Sequence, residues 1–243
     1  MVRKLRAVFE PPERTWPLQT RSCAIVRRMS SPPNPADADT AMNWRPGTDL
    51  STRFRGYLPV VVDLETGGFD ADRHAILEMA AVEVGFEDGT LTPGERWVQA
   101  VSPYPGSQLD PAALKVTGID PDDPERGAID EADAFREMFR RIRRAMKREG
   151  CQRAILVAHN AAFDHGFMRL AYERNDLNRS PFHPFSFIDT ASLAAVAYGH
   201  TVLSEACSRA GIPFEASRAH NALYDAEKTA ELFCTIVNRW QKL

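Results

Sequence analysis

Two carboxylates stand at the end of a short, β-branched apolar run. Asp63 directly follows the apolar residues 58–62, and Glu65 lies two residues further on. Residues two apart in a strand project from the same face. Like charges side by side raise each other's pKa or require a cation, and oxygen ligands suit Mg²⁺ or Mn²⁺. The pair therefore indicates either a divalent metal site or a polar strand end that faces water.

A second acidic residue follows another apolar run. Asp164 comes shortly after residues 154–158, at a predicted helix start where Asn160 is the expected N-cap. An aspartate in the first turn of a helix is often only a partner of the helix dipole. Its place after a buried strand nevertheless makes Asp164 a candidate third metal ligand.

The last acidic segment combines a histidine and an aspartate. His220 precedes the final predicted helix, and Asp225 lies in its first turns, with four residues between the two. A lone histidine is usually structural, but this helix can turn Asp225 toward the strand ends with His220 beside it. The ordered pattern is therefore Asp-x-Glu, then His-Asn-x-x-Phe-Asp, then His-x4-Asp.

The strands and helices predicted around these residues indicate an α/β domain. Apolar periodicity predicts strands at 58–64, 76–86, 95–101, 154–158 and 187–189, and helices at 131–149, 163–173, 190–198, 202–210 and 221–240. Strands come first and then alternate with helices. This order indicates a mixed sheet flanked by helices.

The first 50 residues differ from the rest of the chain. They are rich in proline, more basic than acidic and without apolar periodicity, which predicts a disordered N-terminal extension (1–50) before a folded domain (51–243). The formal net charge of the whole chain is −3. Bulk charge therefore does not predict a nucleic-acid partner, and a local patch would have to hold one.

Cysteine usage and hydropathy bear on the compartment. The four cysteines form no CxxC pair, which argues against a disulfide framework or a zinc site and favours a reducing, cytoplasmic setting. No apolar run approaches the roughly 20 residues needed to span a bilayer. We therefore expect a soluble protein with no membrane partner.

The ordered acidic pattern resembles the DEDD exonuclease superfamily, whose His-x4-Asp third motif defines the His subclass. Further stretches are similar to the ribonuclease T family, over about residues 53–242. They are RFRG at 53–56, DPDDP at 120–124, RGA at 126–128, NRSPFHPF at 178–185 and IVNRW at 236–240. The resemblance implies a ribonuclease H-like fold, with a mixed five-stranded sheet flanked by helices.

The resemblance also implies a 3′ to 5′ exoribonuclease that releases nucleoside 5′-monophosphates by a two-metal-ion mechanism. Two Mg²⁺ ions, or Mn²⁺ instead, are expected at Asp63, Glu65, Asp164 and Asp225, with His220 at the same site. His220, whose unperturbed pKa is near 6.5, is the expected catalytic base. The implied substrates are short single-stranded 3′ ends of tRNA, rRNA precursors and other stable RNAs, and also single-stranded DNA.

Aromatic side chains are expected to hold the terminal bases by stacking. Phe69, Phe163 and Phe185 match the family's positions for this role, although an isolated phenylalanine more often packs in a core. The chain departs from the family at Ala112, where a glutamate is typical, and at Val116, where a phenylalanine is typical. These substrate-binding positions leave the terminal-base preference open.

A basic patch matching the family's RNA-binding surface comprises Arg53, Arg55, Lys147, Arg153 and Arg179. In the family this patch serves the active site of the partner subunit, so the resemblance implies a homodimer. The predicted helix 131–149 carries further arginines on one face. Such a run is usually a solvated face, although it is also suited to binding phosphates.

Two other functions remain open at this point. A proofreading 3′ to 5′ DNA exonuclease uses the same five site residues, although the PFHPF sequence and the basic helix argue against it. A nucleic-acid-binding module without catalytic activity is the alternative from another class. The presence of all five site residues disfavours it.

Overall fold

The computed structural model describes residues 49–240. The strands are β1 (Tyr57–Thr66), β2 (Ile76–Glu87), β3 (Thr90–Ala100), β4 (Arg153–Ala158) and β5 (Phe182–Asp189). The α-helices in this part of the chain are α1 (Pro111–Thr117), α2 (Glu131–Arg148), α3 (Ala162–Arg174), α4 (Thr190–Tyr198), α5 (Leu203–Ala210) and α6 (Ala222–Trp240). Short 3₁₀ turns connect some of these elements.

The strands form one five-stranded sheet in the order β3-β2-β1-β4-β5. Strands β1, β2 and β3 pair antiparallel, whereas β4 is parallel to β1 and β5 is parallel to β4. The predicted mixed five-stranded sheet is therefore confirmed. Strand β1 lies at the centre of the sheet. Its apolar residues, including Val60, Val61 and Val62, are fully buried, as expected of a strand covered on both faces.

The helices complete the core around this sheet. Helix α2 buries Phe135, Met138 and Ile142 at helical spacing, while its arginines remain outside. Helix α6 contacts β1, β2 and β3. Because both Asp63 and α6 belong to this assembly, the packing that forms the core also fixes where the acidic residues lie.

The two edge strands are longer than predicted. Strand β3 begins at Thr90 rather than 95, and β5 begins at Phe182 rather than 187. Each additional segment contains a proline, Pro93 or Pro184, and a proline weakens the sequence signal for a strand. Edge strands tolerate proline because one side of the strand has no neighbour to receive its hydrogen bonds.

Helix α1 is not among the predicted helices. Asp110 accepts a hydrogen bond from the Ala112 amide at 2.8 Å, Pro111 occupies the first turn, and Gly118 ends the helix with a φ of 69°. These are ordinary helix-capping signals, but seven residues are too few for a clear apolar period.

The predicted N-cap at Asn160 is wrong. Ala161 is the N-cap of α3, without a side-chain cap bond, and Asn160 has a left-handed φ of 67°. The predicted N-terminal extension lies almost wholly outside the described residues. Leu50, at its end, is buried in the core. None of the helices between residues 49 and 240 has the length and apolar character to cross a membrane.

Candidate active site

Four acidic side chains converge at one end of the sheet. Asp63 and Glu65 lie near the carboxyl end of β1, and the parallel strand β4 leads to Asp164 in the first turn of α3. Asp225 lies in the first turn of α6. Carboxylate oxygens of Asp63, Glu65 and Asp225 all lie within 4.8 Å of one another. Parallel pairing and helix docking thus join segments that are distant in the sequence.

These carboxylates line a single cavity together with most of the predicted site. His220, Phe69, Phe163 and Val116 line the same cavity. Its remaining lining residues are Leu64, Thr66, Gly68, Ala112, Ala113, Thr117 and His159. The structure therefore brings together every predicted metal, catalytic and substrate-binding residue except Phe185.

The cavity carboxylates have raised pKa values. Burial is the largest cause at Asp63, whose pKa lies well above its usual value, and Asp164, Glu65, Asp225 and Glu78 add repulsion. Burial, followed by repulsion from Asp225, Glu78 and Asp164, raises the pKa of Glu65 to about 8. Burial raises the pKa of Asp164 to about 8 and also raises that of Asp225.

No ion pair relieves this repulsion within residues 49–240. The salt bridges among these residues all join a lysine or arginine to other acidic residues. In addition, Asp225 Oδ1 is buried and has no hydrogen-bond partner among the described residues. Crowded carboxylate oxygens with an unsatisfied acceptor fit a hard divalent cation, which takes all-oxygen ligands.

His220 lies on a loop that α6 holds in place. Asp225 Oδ2 accepts a hydrogen bond from the His220 amide at 2.9 Å, and His220 has a left-handed φ of 64°. The hydroxyl of Tyr224 accepts a hydrogen bond from the Glu215 amide at 2.5 Å, and the Arg218 guanidinium stacks over the Tyr224 ring. The backbone of this loop is therefore fixed, while the His220 side chain stays exposed.

Two further acidic residues support the site and were not predicted. Glu78 pairs directly with Glu65 across β1 and β2, and it accepts a hydrogen bond from the Ala222 amide at the start of α6. Asp189 accepts hydrogen bonds from the Asn160 and Ala161 amides at 2.9 and 3.2 Å. Asp189 ends β5, so the strand-end rule used for Asp63 could have found it. The pairing of Glu78 depends on strand register, which the sequence does not show.

Two aromatic rings lie at the edge of the cavity. Phe69 and Phe163 are 6.4 Å apart in an edge-to-face arrangement, and the Phe69 side chain is 85% exposed. Val116 is also exposed. Exposed apolar side chains beside a polar cavity are typical of a binding site rather than of core packing.

Comparisons with known proteins agree with this geometry. Residues 60–233 match the RNase_T family, which is described as exonuclease. The chain is 58% identical over 200 residues to ribonuclease T of Hahella chejuensis, covering 82% of this chain and 92% of that protein. It is 53% identical over 195 residues to ribonuclease T of Photorhabdus laumondii, covering 80% and 90%. This chain belongs to the ribonuclease T family.

Solved structures of other exonucleases have the same fold as this chain. Escherichia coli exonuclease I in complex with a dT13 oligonucleotide superposes with a TM-score of 0.59 at 20% identity, covering 76% of this chain. The chain spans only 42% of exonuclease I. A 3′-exonuclease described for 3′-end recognition of histone mRNA stem-loops gives a TM-score of 0.61 at 17% identity, covering 86% of this chain and 71% of that one. The ribonuclease H-like fold is thereby confirmed.

The basic residues predicted to bind the RNA backbone lie, apart from Arg53, at the other end of the sheet. Arg153 begins β4 and pairs with Tyr57, the first residue of β1. Tyr57 and Asp63 are six residues apart, or about 20 Å at the usual rise of a strand. Arg55, Lys147 and Arg179 are also exposed near the starts of β1, β4 and β5.

Arg53 does not belong to this exposed group. It is only 7% exposed, and its guanidinium lies 5.3 Å from the centres of both the Phe54 and Phe86 rings. The prediction that Arg53 forms part of a surface patch is therefore wrong. Arg53 and Arg55 lie on one short turn, yet the Arg53 side chain is buried and the Arg55 side chain is exposed. The sequence alone does not reveal this difference.

Phe185 is separated from the cavity. It is 76% exposed on β5 and contacts His183 edge-to-face at 4.5 Å. His183 in turn lies against Tyr57. Phe185 is therefore placed nearer to the basic residues at the strand starts than to the carboxylates.

Proposed function

We propose that this protein is a 3′ to 5′ exoribonuclease that trims short single-stranded ends of tRNA and other stable RNAs, including rRNA precursors. It releases nucleoside 5′-monophosphates. Membership in the ribonuclease T family supports the activity. The observation that carries the proposal is the cavity in which four carboxylates converge with no lysine or arginine ion pair among the described residues.

Asp63, Glu65, Asp164 and Asp225 would hold two Mg²⁺ ions, with Mn²⁺ as the alternative. The donor set is entirely carboxylate oxygen, and Asp225 Oδ1 lacks any other partner among residues 49–240. Bound metal ions would activate the attacking water and stabilise charge on the attacking and leaving oxygens at phosphorus. Protein side chains perform the remaining tasks.

His220 takes the proton from the attacking water. It lines the cavity and is exposed, so it can pass that proton to solvent. A neutral imidazole carries a ring nitrogen with a free lone pair, which can accept this proton. The fixed backbone of its loop positions the ring beside Asp225, so that His220 is the catalytic base.

Phe69 and Phe163 hold the terminal bases by stacking, with Val116 on another side of the cavity. Stacking on a side chain requires a base that has left its helix. The enzyme therefore removes unpaired nucleotides and stops near a stem. Single-stranded DNA offers the same base faces, and we propose it as an additional substrate.

A homodimer would explain the position of the basic residues. Arg55 and Arg153 lie about 20 Å along the sheet from the carboxylates of the same chain, from the usual rise of a strand. Phosphates bound there belong to an RNA whose 3′ end enters the cavity of a second copy. Mixing a His220→Ala chain with an Arg55→Ala/Arg153→Ala chain should then restore activity that neither variant has alone, whereas a mixture that stays inactive contradicts this arrangement.

The alternatives are weaker. A proofreading DNA exonuclease would act on mismatched duplex ends, but relatives that are 58% and 53% identical over 82% and 80% of this chain are named ribonuclease T. A module that only binds nucleic acid would not need a complete set of acidic residues and His220. A cytoplasmic setting is part of the proposal, and it is supported by three described cysteines that are buried and free.

The test is incubation of the purified protein with a 3′-tailed tRNA and Mg²⁺. The tail should shorten one nucleotide at a time, stop near the acceptor stem and remain intact in EDTA. A mismatched DNA duplex should be a poor substrate under the same conditions. Internal cleavage, shortening in EDTA or no shortening at all would contradict the proposed function.

A further inference from the structure

The side chains of α1 that line the cavity offer few hydrogen-bonding groups that could recognise a base. Helix α1 contributes Ala112, Ala113, Val116 and Thr117 to the cavity. Three of these side chains have no hydrogen-bonding atom. The Thr117 hydroxyl donates to the Leu114 carbonyl at 3.4 Å and accepts from the Ile119 amide at 3.3 Å, so it is already used within α1 and the turn that follows.

The other neutral polar side chains of the cavity are also engaged. Thr66 is buried and its hydroxyl donates to the Gly68 carbonyl at 2.7 Å. His159 uses both ring nitrogens, one with the Thr190 hydroxyl at 3.0 Å and one with the Thr201 carbonyl at 2.7 Å. Under the proposed function, His220 and the carboxylates act on water and metal. Each polar side chain of the cavity therefore already has a partner or a proposed task.

What remains for the terminal base is apolar surface. Phe69 and Phe163 offer ring faces, and Val116 offers a branched aliphatic side chain that is 58% exposed. Stacking is tolerant of sequence because every base has a π-face. Strong discrimination between bases instead comes from hydrogen bonds to base edges, each good pair giving about fivefold to a hundredfold preference.

We propose that this enzyme binds its terminal nucleotide by stacking alone and removes A, C, G and U at similar rates. The proposal rests on the exonuclease function proposed above and specifies its substrate range. The residues responsible are Ala112 and Val116, which leave the α1 wall without a base-reading group.

The first test compares RNAs that differ only in their last base, under single-turnover conditions. Removal rates for the four bases should agree within about threefold, which is below the effect of one base-specific hydrogen-bond pair. One base removed more than about tenfold more slowly than the others would overturn the proposal.

A gain-of-function variant tests the role of the α1 wall. Ala112→Glu introduces an acceptor for the exocyclic amino groups of C and A, which U lacks, so the rate ratio between C-ended and U-ended RNA should change by about fivefold or more. Lys115→Glu is the matched control, because Lys115 is exposed on the same helix and does not line the cavity. Unchanged ratios in Ala112→Glu, or equal changes in both variants, would show that α1 does not face the base.

Equilibrium binding separates this proposal from the proposed function. Absence of trimming for all four RNAs in Mg²⁺ would reject the exonuclease activity. Fluorescence anisotropy with the same RNAs and no divalent cation then decides the base question. Equal affinities support binding by stacking, whereas a preference of about tenfold for one terminal base overturns it.

Discussion

Two groups of buried carboxylates in this protein have opposite surroundings. Glu131, at the start of α2, is buried but accepts two hydrogen bonds from the Arg174 guanidinium, both at 2.7 Å, and one from Asn175. At the end of β1, Asp63, Glu65 and Asp164 are crowded together, and none of the described lysines or arginines pairs with them. At the first site, Arg174 supplies the positive charge that pairs with Glu131. At the second site, the positive charge must come from a cation in solution.

The two sites differ in what they contribute. A buried charge with a matched partner joins two elements, here α2 and α3, because Arg174 comes from the end of α3. Buried like charges without a partner destabilise the metal-free fold, and such groups cluster where a protein performs chemistry. The carboxylates of the cavity at the end of β1 therefore lower the stability of the metal-free fold, whereas the paired Glu131 does not.

The largest effect is expected from removing the proposed base. His220→Ala should lower the turnover rate by about 10² to 10⁴, the usual contribution of a general base, while leaving the carboxylates and the binding of metal intact. Single-turnover trimming of a 3′-tailed RNA measures it. His200→Ala is the matched control because His200 does not line the cavity. Equal losses in both variants, or none in His220→Ala, would contradict the role of His220.

Removing the cation of the structural site should cost stability instead. Arg174→Met leaves Glu131 buried without its partner and should lower the free energy of unfolding by about 3–5 kcal/mol. Arg169→Met on the same helix breaks an exposed pair with Glu173 and should cost less than about 1 kcal/mol. Urea denaturation measures both.

The double variant Glu131→Gln/Arg174→Met completes this test. Because it removes the buried charge as well as its partner, it should recover most of the stability lost in Arg174→Met. A double variant as unstable as Arg174→Met would show that packing of Arg174 on Tyr104, rather than charge pairing, explains the loss.

A smaller effect concerns the pH dependence of stability in EDTA. The pKa values of Glu65 and Asp164 are raised to about 8 by burial, so the folded protein holds protons that the unfolded chain has lost. Stability should therefore fall between pH 7 and 8.5, by up to about 1.4 kcal/mol per pH unit for each such proton. His159 does not contribute in this pH range, because burial lowers its pKa.

Asp63→Asn should reduce this slope, because it removes a carboxyl group whose own pKa is raised well above its usual value, chiefly by burial. Thermal unfolding across pH 7 to 8.5 measures the slope in the two proteins. Stability that stays constant or rises with pH in the metal-free protein would contradict the unpaired state of the cavity carboxylates.

Much of the fold and site could be predicted because the decisive signals are local. The apolar run of β1 ends at Asp63, and a helix start follows β4 at Asp164, so the strand-end rule places both. Features that depend on neighbours in space could not be predicted. Glu78 faces Glu65 only through strand register, and Arg53 is buried only because Phe54 and Phe86 enclose it.

Titration of the metal-free protein with Mn²⁺, followed by the EPR signal of free Mn²⁺, tests the central claim most directly. We expect two ions to bind per chain at neutral pH, and Asp63→Asn to lose at least one of them while Glu131→Gln retains both. A protein that binds no Mn²⁺, or an Asp63→Asn variant that binds the same number of ions with the same affinity, would contradict the claim that the carboxylates at the end of β1 form a metal site.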